Sequence, residues 1–253
     1  MQHVVKGRMD STLLKGLTIL ERVVAADSPS SISTLARELG LPKSNVHRTL
    51  NSLREAGYLL YNSAERTYYP SLKIVQMGQR VSATFPFKAA VNPHLEMLAE
   101  QTGESAHFAV REGDSVIFLA SVVPRGPLAS VMPEGLRLHW TDTAFGIAVM
   151  AATSEDEAPE LSGIAHVASV VHRAALEGYA LEPNHGERHT FELAVAVRTQ
   201  WGGVLGVIGI SGPSRRLTDA ALVRYIDDVK VAAKAAGDAL ARLKGALQTR
   251  RDG

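Results

Sequence analysis

Lys43, Ser44, Asn45, His47, Arg48 and Asn51 crowd into nine residues of the stretch GLPKSNVHRTLNSL. Side chains of these types are able to read nucleic acid. Arginine and asparagine can each make paired hydrogen bonds to a base edge in a major groove ~12 Å wide, while lysine serves best as a phosphate counter-charge. On a helix turning about 100° per residue, Val46, Leu50 and Leu53 share one face, and Ser44, Arg48, Asn51 and Glu55 occupy the opposite one. Asn45 and His47 lie on the flanks. The same pattern on an isolated helix would be an ordinary solvated face, so the neighbouring elements have to decide.

A second informative group lies about 140 residues later, in FELAVAV. Alternation puts Phe191, Leu193, Val195 and Val197 on one strand face and leaves Glu192 with Ala194 and Ala196 on the other. A carboxylate beside two alanines leaves room for a ligand that offers N–H donors, since a buried carboxylate without partners is costly. The alternative is a strand-end glutamate that meets solvent or Arg188.

The elements around the first group favour nucleic acid. Leu13, Leu17, Leu20 and Val24 form the apolar stripe of a helix over 12–26. Ser31 or Ser33 can cap a short second helix that ends at Gly40, and Pro42 suits the first turn of a third helix running to Ala56. YLLYNSAERTYYP then reads as a β-hairpin with Arg66 at its tip, and Arg66 and Lys43 are both expected to neutralise phosphates beside the groove. Three helices followed by a hairpin make a winged helix-turn-helix.

Beyond it the pattern predicts a connecting helix and then an α+β domain. That domain has helices over 88–101, 143–152, 167–177 and 218–248, and a mixed sheet from strands over 105–111, 115–122, 129–132, 190–197 and 204–211. Residues 1–71 are thus expected to form the winged helix, 72–87 a linker helix and 88–253 the second domain.

Charge supports the division. Residues 1–80 carry 11 lysines and arginines against 6 acids, whereas residues 81–253 carry 16 against 20. A basic first third suits a polyanion. No cysteine is present, which removes disulfides, thiolate chemistry and cysteine-ligated zinc. The longest uncharged run, 199–214, is too short and glycine-rich for a membrane span, and the amino end lacks an apolar signal core. A soluble cytoplasmic protein is expected.

WGGVLGVIGISGP lacks the lysine of a phosphate loop, and GISGP lacks the glycine and helix of a nucleophile elbow. His166, His172, His185 and His189 fall within 24 residues, but only His185 and His189 have the spacing of helical metal ligands. No cofactor, metal or catalytic residue is therefore expected. An enzyme with the winged helix as a protein-interaction module is the competing reading.

Taken together, LLKGLTILE, LARELGLPKSNVHRTLNSLREAGYL, LRLHWTDTAFGIAVMAA, GYALEPN and GVLGVIGISGP resemble, in order and spacing, the IclR family of bacterial transcriptional regulators. The resemblance implies a GAF-like α/β effector-binding domain after the winged helix. It also implies a homodimer, or a tetramer built as a dimer of dimers, on a palindromic or repeated double-stranded DNA operator. Repression is the expected sign of control. The family's pocket falls on Thr143, Ala144, Glu182, Glu192, Gly209 and Ser211. Departures stand at Ile147, where lysine is usual, at Glu192, where cysteine is common, and at Gly209, where serine is common. The effector is expected to be a small catabolic metabolite, an N–H-bearing amide or hydrazide if Glu192 lines the pocket, or an aromatic-acid type.

Overall fold

Short capping signals between helices set the course of the first unit. The computed structural model describes residues 11–84, 86–126, 128–153, 165–181, 189–199, 202–216 and 218–249, and it divides after Thr84 into two compact units. The first contains α1 (Ser11–Val24), β1 (Ser30–Ser31), α2 (Ile32–Leu39), α3 (Lys43–Glu55), β2 (Leu59–Asn62), β3 (Thr67–Pro70) and α4 (Leu72–Thr84). The Ser31 hydroxyl accepts from the Thr34 N–H at 3.1 Å and so starts α2. Gly40, at φ 63°, ends it in the left-handed region, and Pro42 immediately precedes α3. The strands form a three-stranded antiparallel sheet in the order β1-β3-β2.

Ile19, Val23, Leu35, Ala36, Val46, Leu50, Leu59 and Tyr68 make the core of this unit. The stripe expected to bury α1 is corrected here. Leu13, Leu17 and Val24 are exposed; of that stripe only Leu20 packs against the core, partly buried, and the helix is seated mainly by Ile19 and Val23. Both sets repeat at helical spacing. The buried one shares its side of α1 with Gly16, where an added Cβ would already touch Thr49 of α3 at 3.9 Å.

The second unit contains α5 (Pro86–Thr102), β4 (Ser105–Glu112), β5 (Ser115–Val122), β6 (Arg137–His139), α6 (Ala144–Ala152), α7 (Ala165–Glu177), β7 (Ala180–Leu181), β8 (Thr190–Arg198), β9 (Val204–Pro213) and α8 (Asp219–Thr249). Its six strands run in the order β6-β5-β4-β9-β8-β7, and every neighbouring pair is antiparallel. The mixed sheet expected from sequence is therefore corrected. The two residues that join β4 to β5 permit only a hairpin, with Gly113 at φ 62°. No strand forms over 129–132 either. The third strand of that edge is β6, with His139 opposite Ser115 and Arg137 ion-paired to Glu112.

Helices α5 and α8 cover one face of the sheet, packing Leu95, Leu98, Tyr225 and Val229 onto Phe108, Leu193 and Ile210. The other face is covered by α6 and α7, with Phe145, Ile147 and Ala174 over Phe118, Ala194 and Val207. Ile147, which replaces the family's lysine, is thus a core side chain. Among the described residues no helix is long and apolar enough to cross a membrane.

Because a Cβ in the left-handed region costs about 1–2 kcal/mol, Gly40→Ala should lower stability by about 1 kcal/mol. Urea denaturation followed by far-UV circular dichroism measures this.

Candidate functional site

Two regions carry the polar groups singled out in the sequence, one in each unit. On α3, Lys43, Ser44, His47 and Arg48 are exposed, and Asn45 is half-buried. Val46 and Leu50 anchor the opposite face in the core. Asn51 is held rather than free. Its amide contacts His47 Nε2 at 3.2 Å, and its carbonyl accepts from the buried Tyr68 hydroxyl at 3.5 Å. The wing therefore braces the outer face of α3, a link that the sequence did not signal.

Arg66 is exposed at the hairpin tip with φ 56°, the one non-glycine residue with positive φ among those described. The turn is pinned by Asn62, whose carbonyl accepts from the N–H groups of Ala64 and Glu65 at 3.0 and 3.4 Å.

In the second unit, Thr143 caps α6, its hydroxyl accepting from the Phe145 N–H. The same hydroxyl donates to Glu192 Oε2 at 2.5 Å, and the Ala144 N–H donates to that oxygen at 2.8 Å. Glu192 is only 5% exposed, so it does not meet solvent as a strand-end residue would. Its carboxylate sits where the helix dipole and free N–H groups favour negative charge.

Cross-strand pairing places Ser105, Ser211 and Glu192 in one row, and His107, Gly209 and Ala194 two residues along each strand, in the following row of the same face. A side chain at Gly209 would run into Leu193 backbone and come within 2.9 Å of Phe145, so the serine common in the family does not fit under this phenylalanine. Glu182 and Arg188 lie outside the described residues.

The sequence reading missed His107, whose only signal was a histidine inside an apolar strand. It is fully buried, with Nδ1 2.9 Å from Ser121 Oγ and Nε2 2.8 Å from Ser211 Oγ. Burial lowers its pKa to about 4, so the ring is neutral at pH 7. Ser121 gives its proton to the Met132 carbonyl at 2.6 Å. It must then accept from Nδ1–H, which leaves Nε2 to accept from Ser211. Glu104, just before this row, is buried and gripped by two guanidinium nitrogens of Arg216, each at 2.6 Å, which ties the start of β4 to the turn after β9. Among the described residues no group of three or more His, Asp or Glu side chains is placed to hold a metal ion.

A winged helix-turn-helix followed by an antiparallel α+β domain with a buried polar row defines a two-domain, ligand-responsive transcriptional regulator. The IclR helix-turn-helix domain matches residues 12–63, and the bacterial transcriptional regulator IclR C-terminal domain matches residues 79–237. The chain belongs to the IclR family. It is 26% identical to the probable transcriptional regulator SauR of Cupriavidus necator, over 88% of this chain and 94% of the relative. It is 24% identical to the transcriptional repressor AllR of Salmonella typhi, over 92% and 94% respectively. Among solved structures, an IclR homologue from Microbacterium hydrocarbonoxydans complexed with 4-hydroxybenzoate has the same fold, with a TM-score of 0.73 at 19% identity over 92% of this chain and all of that one. The protein is accordingly a DNA-binding transcriptional regulator controlled by a small-molecule effector in its second domain.

His107 has a folded pKa below its unfolded value, so its contribution is complete above about pH 6.5 and is lost as pH falls towards 4. Unfolding free energy should drop by about 3 kcal/mol across that window from this group. His107→Gln should remove that part of the slope in denaturation curves recorded at several pH values.

Proposed function

We propose that α3 reads the operator through Ser44, Asn45, His47, Arg48 and Asn51, while Lys43 and Arg66 contact phosphates on either side. The observation that carries this reading is the anchoring of α3 by Val46 and Leu50, which turns Arg48 and its neighbours outward. Asn51 has a second task, because its bonds to His47 and Tyr68 orient the helix surface before DNA arrives.

In the second domain, Thr143, Ala144, Glu192 and Ser211 build the polar side of the effector site, Thr143 and Ala144 by holding Glu192 in place, and Gly209 gives Phe145 room to pack beside them. The protein acts as a repressor in the cytoplasm and has no catalytic role. Relatives named as repressors support that sign of control. It works as a homodimer or a dimer of dimers. Exposed apolar side chains on α1 (Leu14, Leu17) and on α4 (Leu72, Val75, Met77) support self-association, since such clusters on a small domain mark contact surfaces.

Arg48→Ala should cost about 1–3 kcal/mol of operator affinity and relax preference at one base position, whereas Lys43→Ala should weaken all sequences alike and flatten the salt dependence. Mobility-shift titrations on the promoter beside the gene, run at several salt concentrations, measure both. Unchanged binding by Arg48→Ala would remove that residue from the reading surface.

A further inference from the structure

The start of α6 offers what a small carboxylate needs: a hydroxyl, a free backbone N–H and the positive end of a helix dipole. In this chain those groups are already engaged. Thr143 Oγ1 and the Ala144 N–H both point at Glu192 Oε2, so a side chain of the protein fills the anion position. An incoming carboxylate would have to displace a carboxylate held on the same chain, and it would also meet its like charge.

The rest of the row can be read by counting protons. Ser121 is committed to Met132, which fixes His107 with its proton on Nδ1 and makes Nε2 an acceptor. Ser211 therefore spends its proton on Nε2 and presents only lone pairs along the row. Glu192, as a carboxylate, has none to give. Ser105, directly across from Ser211, is 1% exposed, and its hydroxyl has no hydrogen-bond partner among the described residues. A buried hydroxyl without a partner is a group waiting for one. The row thus carries lone pairs at Ser211, a carboxylate at Glu192 and, at Ser105, a hydroxyl with no partner among the described residues.

We propose that Glu192 is a built-in anion that closes the α6 amino end to carboxylates, and that the effector is a neutral or cationic molecule presenting N–H donors to the row of Ser105, Ser211 and Glu192. Primary amides, hydrazides and amines have that chemistry. The Ser105 hydroxyl, free to donate, meets the carbonyl of an amide or hydrazide, while the N–H groups face the acceptors. This rests on the reading of this sheet face as the effector site.

The test uses the full-length protein and thermal unfolding at constant ionic strength, with matched probes: acetamide against acetate, and benzamide, benzohydrazide and benzylamine against benzoate. Wild type should melt about 3–5 °C higher at saturating concentrations of at least one N–H probe, and should not respond to the acids. Glu192→Ala should reverse the preference, gaining a saturable response to acetate or benzoate as the vacated α6 end accepts them. Ser105→Ala should weaken the amide response about tenfold.

An acid that stabilises wild type as much as its amide overturns the proposal, as does a folded Glu192→Ala protein that responds to neither acid. Should Glu192→Ala not fold, the wild-type ranking decides alone, and a panel with no shift from any amide, hydrazide or amine counts against the proposal. Operator release in a mobility-shift assay reports separately on whether this site controls DNA binding, so failure of that reading is distinguishable.

Discussion

A buried carboxylate has to be met by donors, and in the second domain that requirement is satisfied by the start of one helix. Glu192 projects from β8 to the Thr143 hydroxyl and the Ala144 N–H, joining the sheet to α6 through charge-assisted hydrogen bonds. The position of α6 then fixes Phe145, and Phe145 in turn leaves no space for a side chain at Gly209. His107 sits edge-on to both Phe118 and Phe145, with its ring nitrogens committed to Ser121 and Ser211. The polar row is thus held by bonds on one side and by aromatic packing on the other. Little of it can adjust independently.

The first unit solves a simpler problem with the same logic. Its recognition helix must present polar groups outward without losing its seat, and Val46 and Leu50 secure it while Gly40 and Pro42 set where it begins. The wing adds Tyr68, which is buried against the core yet reaches Asn51 with its hydroxyl. A single aromatic residue therefore links the packing of the unit to the outward face of α3.

Much of this was legible in the sequence, for reasons that can be named. Capping residues and glycine turns act over a few positions, so α2, α3 and the hairpin were readable from Ser31, Gly40, Pro42 and the polar tip before Arg66. Alternation in FELAVAV likewise sorted the two faces of β8. What failed was choice among equivalents. On α1 two apolar stripes had helical spacing, and only packing against α2 and α3 selected Ile19 and Val23. The short β6 has no apolar run and is defined by pairing with β5. His107 could not be matched with Ser121 and Ser211, because the three come from strands that only the sheet order brings together.

Whether the chain's own carboxylate at the start of α6 selects what the regulator responds to is tested most directly by operator affinity, titrated with an amide and with its matched acid under identical salt. The amide should change operator affinity and the acid should leave it unaltered. A response driven by the acid, with none from the amide, would contradict such selection.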